Sequence, residues 1–325
     1  MGRDQDKNSA PSACMERIEH VAPSVTAVVI NWNGREPLLR TIAALYQSQY
    51  AFTEILLVDN GSVDGSVQAV KASFPSVVVL AQEHNLGPGQ GRNVGIRRAM
   101  ALCADYIFNL DNDIEIFPET VGTLIETAEQ DPDVGVVGAM MYFRDRPNVI
   151  QNVGGQVRFR QNVVYSIGWL EPDHGQFNTS FQVDMVGSAA MLTRRKVFEQ
   201  VGYFDDGYIG YGLEDTDFCT KVRLSGWKVV CNPWAKVRHD FRFNHKYTYR
   251  RKYLEARNAV FYLHKYGRSI DWAKFLFFSV GGLPYAFLRE LLHGNVGGVV
   301  GKAQGLFDAM IGRNGRAIEV FRSPE

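Results

Sequence analysis

Short apolar runs alternate with segments of helical spacing through the first third of the chain. Four runs are continuous and rich in β-branched or aromatic side chains, which predicts buried strands. They span residues 26–30, 54–58, 77–80 and 106–110. The segments between them repeat apolar side chains at helical intervals and span residues 37–46, 67–74 and 91–103. Buried strands that alternate with helices predict an α/β fold with a mostly parallel sheet, covered by helices on both faces.

The pattern is weaker in the second half of the chain. Further helices are predicted at residues 119–130 and 217–224, and further strands at residues 134–141 and 228–231. Residues 153–182 are polar and aromatic without a clear period, which indicates a hairpin or a mobile loop. A boundary near Arg268 separates this region from a hydrophobic, glycine-rich tail.

Polar side chains stand where the predicted strands end. Asn31, Asp59 and Asp111 follow three of the strands, and the loop at residues 85–92 follows the fourth. In a parallel sheet these ends meet at one edge, where ligands bind. The sequence therefore predicts a crevice of the kind that binds nucleotides.

Two carboxylates follow the last of these strands at close spacing. Asp111 and Asp113 come directly after the apolar run that ends at Leu110. Because an unpaired carboxylate is costly to remove from water, a cation is expected beside them. Oxygen ligands suit Mg²⁺ or Mn²⁺, which in turn suit a diphosphate. A solvated turn is the alternative, since Asp and Asn are common at strand ends.

Composition adds limits rather than a function. The 325 residues carry no net charge, which gives no support to nucleic-acid binding, although residues 236–252 are strongly basic. The four cysteines lack the paired spacing of a zinc site, and free buried thiols are expected at Cys103 and Cys219. Residues 1–24 are polar and predict a disordered leader without a secretory signal. No apolar run reaches the roughly 18–20 residues of a membrane-spanning helix.

Ordered motifs across residues 24–267 resemble the family 2 inverting glycosyltransferases. These motifs are Val28-Val29-Ile30-Asn31-Trp32-Asn33-Gly34, Val58-Asp59-Asn60-Gly61-Ser62, Asn85-Leu86-Gly87, Gly91-Arg92-Asn93-Val94-Gly95, Asp111-Asn112-Asp113 and Glu214-Asp215. The resemblance implies the glycosyltransferase A fold, with a Rossmann-like, mostly parallel central sheet. It also implies a catalytic domain at residues 25–267, with a nucleotide-sugar half at about 25–115 and an acceptor half at about 116–267. Within the family, the chain is most similar to bacterial rhamnosyltransferases and galactofuranosyltransferases of surface polysaccharide synthesis.

The resemblance gives roles to the donor-site residues. It implies that Asp59 binds the base of a nucleotide-sugar and that Arg92 meets its phosphates. For Asp59 an Asx turn or helix cap is the alternative, and for Arg92 a surface position. Asp111 is implied near the ribose and the metal, and Asp113 as the direct metal ligand. The remaining donor-binding residues that the resemblance implies are Asn31, Asn33 and Asn85.

Three more residues complete the implied site. Asp215 matches the general base of the family and Glu214 its neighbour, and the mutual repulsion of two carboxylates raises a pKa. The alternative for both is the first turn of a helix, which favours acids. His239 lies about two dozen residues after Asp215, as a metal-binding histidine of the family does, although a lone histidine is more often structural.

The tail at residues 268–325 lies outside the motifs and is expected to be a hydrophobic helical extension. Its apolar set is Trp272, Phe275, Leu276, Phe277, Phe278, Leu283, Tyr285, Phe287 and Leu288. With the basic Arg250, Arg251 and Lys252 nearby, one interpretation is a helix on the cytoplasmic face of an anionic membrane, which suits a polyprenyl-linked acceptor. The other is a helix buried against the main domain or a second subunit.

The predicted function is metal-dependent, inverting transfer of a sugar. The donor is expected to be a UDP- or dTDP-sugar, with dTDP-rhamnose as a candidate, and the cofactor Mn²⁺ or Mg²⁺. The acceptor is expected to be a hydroxyl of a glycan or a lipid-linked glycan. The alternatives are a nucleotidyltransferase of related fold and a catalytically silent carbohydrate-binding or scaffold protein, and the intact Asp111, Asp113 and Asp215 argue against the silent protein.

Overall fold

A computed structural model describes residues 22–160, 162–210, 212–241, 248–292, 296–313 and 315–322. Most of the predicted leader, residues 1–21, lies outside the described residues, as do residues 242–247 of the basic segment. Cys103 is disulfide-bonded, which corrects the expected free thiol at that position. Cys219 and Cys231 are free and buried.

The first third of the chain forms the predicted alternation of strands and helices. Its strands are β1 (Val25–Asn31), β2 (Glu54–Asp59), β3 (Val78–Ala81) and β4 (Tyr106–Asp111). Its helices are α1 (Arg35–Tyr46), α2 (Ser66–Ser73) and α3 (Pro88–Ala101). The four strands are parallel in the order β4-β1-β2-β3. Asn31 pairs with Asp59 and Ile30 with Asp111, so the polar ends of three strands meet at one edge.

The second half extends this sheet and makes it mixed. Its strands are β5 (Ile114–Ile116), β6 (Val134–Phe143), β7 (Arg146–Asn152), β8 (Gly155–Val157), β9 (Val164–Ser166), β10 (Phe181–Gln182), β11 (Ala190–Arg194) and β12 (Lys228–His239). Its helices are α4 (Thr120–Gln130), α5 (Arg195–Val201) and α6 (Glu214–Leu224). β11 lies antiparallel between β4 and β6, whereas β12 is parallel to β6. In the segment without a clear period, β8 and β9 form a two-stranded hairpin.

Apolar side chains cover both faces of the sheet. On one face Leu38 of α1 and Leu124 of α4 join a buried cluster with strand residues such as Val29. On the other face Ile96 of α3 and Phe218 of α6 join a second cluster. Each such side chain contributes about 1.5–3 kcal/mol when it is removed from water. The helices on both faces confirm the predicted α/β fold, and they bury the sheet whose strand ends form the ligand edge.

Five helices follow β12. They are α7 (Tyr249–Tyr266), α8 (Ser269–Val280), α9 (Leu283–Leu292), α10 (Gly297–Met310) and α11 (Gly315–Arg322). α10 packs closely on α7, because a Cβ on Gly301 or Gly305 would lie only 2.3 Å from the carbonyl oxygen of Tyr249 or Tyr253. The Tyr253 hydroxyl also donates to Asp308 Oδ2 at 2.9 Å. This part of the extension is therefore attached to the helix that precedes it.

α8 and α9 differ from α10 because they leave many apolar side chains exposed. Phe277 is 73% exposed and Leu292 79% exposed, and Tyr285, Phe287 and Leu288 are also open to solvent. By length and composition alone, the helical stretch Ser269–Leu292 is sufficient to cross a membrane. The count of uninterrupted apolar residues does not identify it, since Gly281, Gly282 and Pro284 interrupt the run.

Candidate active site

A cavity of about 360 Å³ opens at the carboxyl ends of β1 and β4. This is within the size range of pockets that bind small molecules. Seven predicted site residues line it: Asn31, Asn85, Arg92, Asp111, Asp113, Glu214 and Asp215. Four of these are carboxylates and one is a cation, and we call this space the carboxylate cavity. Asn33, Asp59 and His239 are not in its lining.

Asp59 lies behind Asn31 rather than on the cavity wall. Asp59 Oδ1 accepts a hydrogen bond of 2.9 Å from Asn31 Nδ2, and Asp59 Oδ2 accepts one of 2.9 Å from the Ser62 backbone. The second bond forms the Asx turn that was the alternative to base binding. Asn31 also accepts from Asn112 Nδ2 at 2.6 Å, so its side chain is held from both sides. Base recognition by Asp59 stays a prediction.

Asn33 and Asn85 both stabilise loops at the rim. Asn33 has a φ of 50°, is exposed, and accepts from the Val63 backbone at 2.8 Å. Asn85 Oδ1 accepts from the Gly87 backbone at 2.8 Å and from Asn60 Nδ2 at 3.2 Å. Asn85 is thus held in place and lines the cavity. Asn33 does not line it and instead stabilises the loop that follows β2.

Arg92 connects the two acidic sides of the cavity. It is 3% exposed, bonds to Asp111 Oδ1, and places Nη1 3.7 Å from Glu214 Oε1. Its Nε and Nη1 atoms are buried and have no hydrogen-bond partner among the described residues. Buried donors without a partner are costly, so they favour an anionic ligand in the cavity. The burial of Arg92 excludes the surface alternative, and phosphate binding stays a prediction.

Glu214 and Asp215 form the first turn of α6, after Leu213 in the left-handed region at a φ of 73°. Asp215 Oδ1 accepts from the Thr216 backbone at 2.6 Å and from its hydroxyl at 3.2 Å. Burial raises the pKa of Asp215, opposed by the Thr216 backbone and Arg92. Burial and the Asp215 charge raise the pKa of Glu214, and Arg92 opposes them. A raised pKa suits a carboxylate that accepts a proton during catalysis.

Asp113 and His239 face each other at the edge of the cavity. Asp113 Oδ1 lies 3.3 Å from His239 Nε2, while His239 Nδ1 contacts Gln151 Oε1 at 2.8 Å. Burial lowers the pKa of His239, but the hydrogen bond and charge of Asp113, with Asp111 and Asp240 nearby, raise it overall. Over the described ranges, no group of three or more His, Cys, Asp or Glu side chains could hold a metal ion. Metal binding by Asp111, Asp113 and His239 stays a prediction.

The profile of the family described as "Glycosyl transferase family 2" matches residues 26–202, more than half of the chain. The chain belongs to this family. A second profile, described as the N-terminal domain of galactosyltransferase, matches residues 176–246. Membership confirms that the protein is a glycosyltransferase.

Named relatives of this glycosyltransferase include enzymes of bacterial glycan synthesis. An N-acetylglucosaminyl-diphospho-decaprenol L-rhamnosyltransferase of Mycobacterium tuberculosis is 27% identical over 65% of this chain and 74% of its own length. The O-antigen biosynthesis protein RfbC of Myxococcus xanthus is 26% identical over 66% of this chain, but over only 17% of its own length.

Solved structures of glycosyltransferases share the fold of this chain. The mannosyltransferase PcManGT of Pyrobaculum calidifontis, in complex with GDP-Man and Mn²⁺, superposes with a TM-score of 0.57 over 90% of this chain and 88% of that one, at 15% identity. GalNAc-T7 with UDP, GalNAc and Mn²⁺ has the same TM-score over 68% of this chain and 44% of that one, at 17% identity. These similarities support the glycosyltransferase A fold.

The residues that line the carboxylate cavity of this glycosyltransferase without being predicted include Trp32, Asn60, Ser188 and Phe321. Trp32 and Asn60 lie within the family motifs, each next to a predicted residue, so the sequence could have indicated them. Phe321 comes from α11, where a Cβ on Gly210 would lie 3.0 Å from its ring and Arg250 donates to its carbonyl. Only the packing of α11 on α7 brings Phe321 to the site, and no local sequence pattern indicates this.

Proposed function

We propose that this glycosyltransferase moves a sugar from a UDP- or dTDP-sugar to a hydroxyl of a lipid-linked glycan, in one displacement with inversion. The observation that carries the proposal is the carboxylate cavity, where Asp111 and Asp113 face Glu214 and Asp215 around the buried Arg92. The named rhamnosyltransferase relative supports dTDP-rhamnose as the donor and a polyprenyl-diphosphate-linked acceptor. Surface polysaccharide synthesis is the corresponding process.

The donor's diphosphate would lie near Arg92. Two of its buried N–H donors make no hydrogen bond with the described residues, which points to an anion, and a guanidinium matches phosphate oxygens well. Asn31 and Asn85 line the cavity, and they would contact the nucleoside there. Hydrogen bonds hold both side chains in place. Asp59 would then orient Asn31 in addition to its expected role at the base.

The pair Asp113 and His239 fits one divalent cation. Two adjacent ligands of an octahedral ion, each at about 2.1 Å, lie about 3 Å apart, close to the 3.3 Å seen here. The Gln151 contact fixes the ring orientation of His239, as expected of a metal-binding histidine. Bound Mn²⁺ or Mg²⁺ would neutralise the charge on the departing diphosphate. Mn²⁺ accompanies the donor in the mannosyltransferase neighbour.

Asp215 would act as the general base. The Thr216 hydrogen bonds hold its carboxylate, and its raised pKa makes it a better proton acceptor than an exposed aspartate. Glu214 helps through its charge, and Arg92 limits how far both pKa values rise. The acceptor hydroxyl loses its proton to Asp215 as it attacks the anomeric carbon, and the nucleoside diphosphate leaves from the opposite face.

The exposed helices α8 and α9 would bring the enzyme to a membrane. They expose many large apolar side chains along one segment, and Arg268 and Lys274 lie on α8 or at its start. This supports a peripheral position on the cytoplasmic face, where a polyprenyl-linked acceptor would be reached. Self-association through the same segment remains the alternative.

One assay tests this function. The protein is incubated with UDP- and dTDP-sugars, with Mn²⁺ or EDTA, and with a polyprenyl-diphosphate-linked N-acetylglucosamine. We expect a metal-dependent product whose new linkage, read by NMR, has the inverted configuration. A retained configuration would exclude single displacement. Transfer of the nucleoside monophosphate with release of the sugar 1-phosphate would indicate a nucleotidyltransferase, and the absence of turnover with every donor would favour the silent scaffold.

A further inference from the structure

A second cavity, of about 550 Å³, lies between the C-terminal helices and outside the carboxylate cavity. Its charged lining consists of Arg251, Lys252, Glu255, Arg289 and Lys302. Its uncharged lining includes Val163, Leu213, Ala256, Phe275, Ser279 and Leu306. Four cations face one carboxylate, and we call this space the cationic cavity. The proposed function above assigns no role to it.

The positive charge is only partly neutralised from within. Glu255 accepts from Arg251 Nε at 2.7 Å and from Lys252 Nζ at 2.6 Å, so one carboxylate is shared between two cations. Arg289 is paired with Glu290, its Nε donating to Oε1 at 2.9 Å. Lys302 makes no hydrogen bond or ion pair with any residue that the structure describes. Burial, with Lys252 adding to the effect, lowers the pKa of Lys302. A cluster of this kind is stabilised by an anion.

A buried hydroxyl without a partner points to the same space. Ser279 lines the cavity and is 0% exposed, yet its Oγ has no hydrogen-bond partner among the described residues. Buried polar groups are normally satisfied, so this hydroxyl indicates a missing ligand atom. A hydroxyl beside several cations suits the oxygens of a phosphate group.

The apolar surroundings identify what carries that phosphate. Phe275 and Leu306 line the cavity, and the neighbouring parts of α8 and α9 expose Phe277, Phe278 and Leu288. A soluble phosphate or nucleotide would leave these apolar side chains exposed to water. A phosphate ester with a long hydrocarbon chain would satisfy the cations and the hydroxyl and cover the apolar side chains at the same time.

The position relative to the base gives the ligand a place in the reaction. Gly212 lines both cavities, and Leu213 of the cationic cavity directly precedes Glu214 and Asp215. We propose that the cationic cavity binds the diphosphate of the lipid-linked acceptor, so that the sugar it carries extends past Gly212 to Asp215. This proposal rests on the proposed function, whose acceptor it locates.

Lys302→Met tests the assignment in the full-length protein. The probe is farnesyl diphosphate, with inorganic diphosphate and farnesol as its two halves, and EDTA keeps the metal-dependent donor site from competing. Titration calorimetry should give Lys302→Met an affinity for farnesyl diphosphate about tenfold or more below that of the wild type, the effect of one lost charge-assisted hydrogen bond. Lys196→Met is the matched control, since Lys196 is exposed on α5 and lies in the lining of neither cavity.

Kinetics separate this proposal from the function on which it rests. Lys302→Met should raise the KM for the polyprenyl acceptor about tenfold or more, and leave metal-dependent hydrolysis of the donor unchanged. If Lys302→Met lost binding to phosphatidylglycerol vesicles and to farnesyl diphosphate equally, the cavity would be a membrane contact and the proposal would be wrong. Unchanged binding of farnesyl diphosphate by this variant would also overturn it. If the wild type binds farnesyl diphosphate through Lys302 but turns over no donor, the proposed function fails while the lipid-phosphate site stands.

Discussion

The two cavities of this glycosyltransferase share Gly212 and carry opposite charge. The carboxylate cavity is lined by four acids and Arg92, whereas the cationic cavity is lined by four bases and Glu255. Each has one counter-charge that is held between like-charged neighbours. The acids of the first cavity suit a bound cation and can accept a proton during chemistry at an anomeric carbon. The bases of the second cavity suit a bound anion. The charge of each wall thus indicates the part of the reaction that it serves.

The two cavities also differ in the part of the fold that forms their walls. The carboxylate cavity is built on parallel strand ends and the first turns of α3 and α6, which are buried in the domain core. The cationic cavity is lined mostly by α7 to α10, with Val163 and Leu213 from the preceding part of the chain, and α8 and α9 leave apolar side chains in solvent. Changes in the first cavity should therefore alter the chemistry. Changes in the second should alter acceptor binding and the stability of the extension.

Asp113→Ala should have the largest effect on the carboxylate cavity. Loss of this carboxylate leaves His239 as the lone candidate ligand of the pair, and we expect transfer to fall by about 10³-fold or more. Thermal shift with UDP or dTDP should also lose its dependence on Mn²⁺. Glu199→Ala, which removes an exposed carboxylate paired with Arg195, should change neither measurement. Normal Mn²⁺-dependent donor binding in the Asp113 variant would exclude this residue as a ligand.

Asp215→Asn should stop the chemistry but spare the donor. The amide keeps the shape of the side chain but cannot accept the acceptor's proton, and loss of a general base costs about 10²–10⁴-fold. The metal-dependent thermal shift with the donor nucleotide should be retained, which distinguishes this variant from Asp113→Ala. Normal transfer by the amide variant would contradict the assignment of the base.

Arg92→Met should change how the rate depends on pH. The Arg92 charge lowers the pKa of Glu214 and Asp215 against the raising effect of burial, so its removal raises both further. A base works only when deprotonated, so the acid limb of the kcat profile should move to higher pH. The ratio of variant to wild-type rate should then increase with pH at saturating donor. Arg98→Met, on the exposed side of the same helix, should leave the profile in place.

Much of the carboxylate cavity was predictable because the strands end in polar residues. Continuous apolar runs indicated β1, β2 and β4, and parallel pairing then required Asn31, Asp59 and Asp111 to lie at one edge. The side-chain directions were not predictable. Asp59 turns inward because Ser62 and Asn31 both donate to it, and these contacts depend on the folded loop.

The parts that were not predicted depend on contacts between distant segments. β11 enters the sheet antiparallel between β4 and β6, although its sequence carries no sign of direction. Phe321 reaches the donor side only because α11 packs on α7, and Lys302 reaches Lys252 and Glu255 only because α10 does. In the tail, a count of apolar residues predicts an apolar surface, but it does not tell which helices are buried against the rest of the protein.

Gly305→Ala should have the smallest effect and tests whether the cationic cavity depends on the packing of α10. A Cβ at this position would lie 2.3 Å from the Tyr253 carbonyl oxygen, so α10 must shift away from α7. Overpacking of this kind costs about 1–3 kcal/mol. A shift of α10 moves Lys302 and Leu306 out of the cavity, so farnesyl diphosphate binding should weaken while donor hydrolysis stays normal.

Gly297→Ala is the matched control on the same helix. A Cβ there meets no atom within 4 Å among the described residues, so only the loss of glycine's conformational freedom applies. Denaturant unfolding should give the control a free energy of unfolding equal to or slightly above that of the wild type. If Gly305→Ala matched Gly297→Ala in stability and in farnesyl diphosphate binding, α10 would not be held against α7. The cationic cavity would then lack the wall that carries Lys302, and the opposition of the two cavities would not persist in solution.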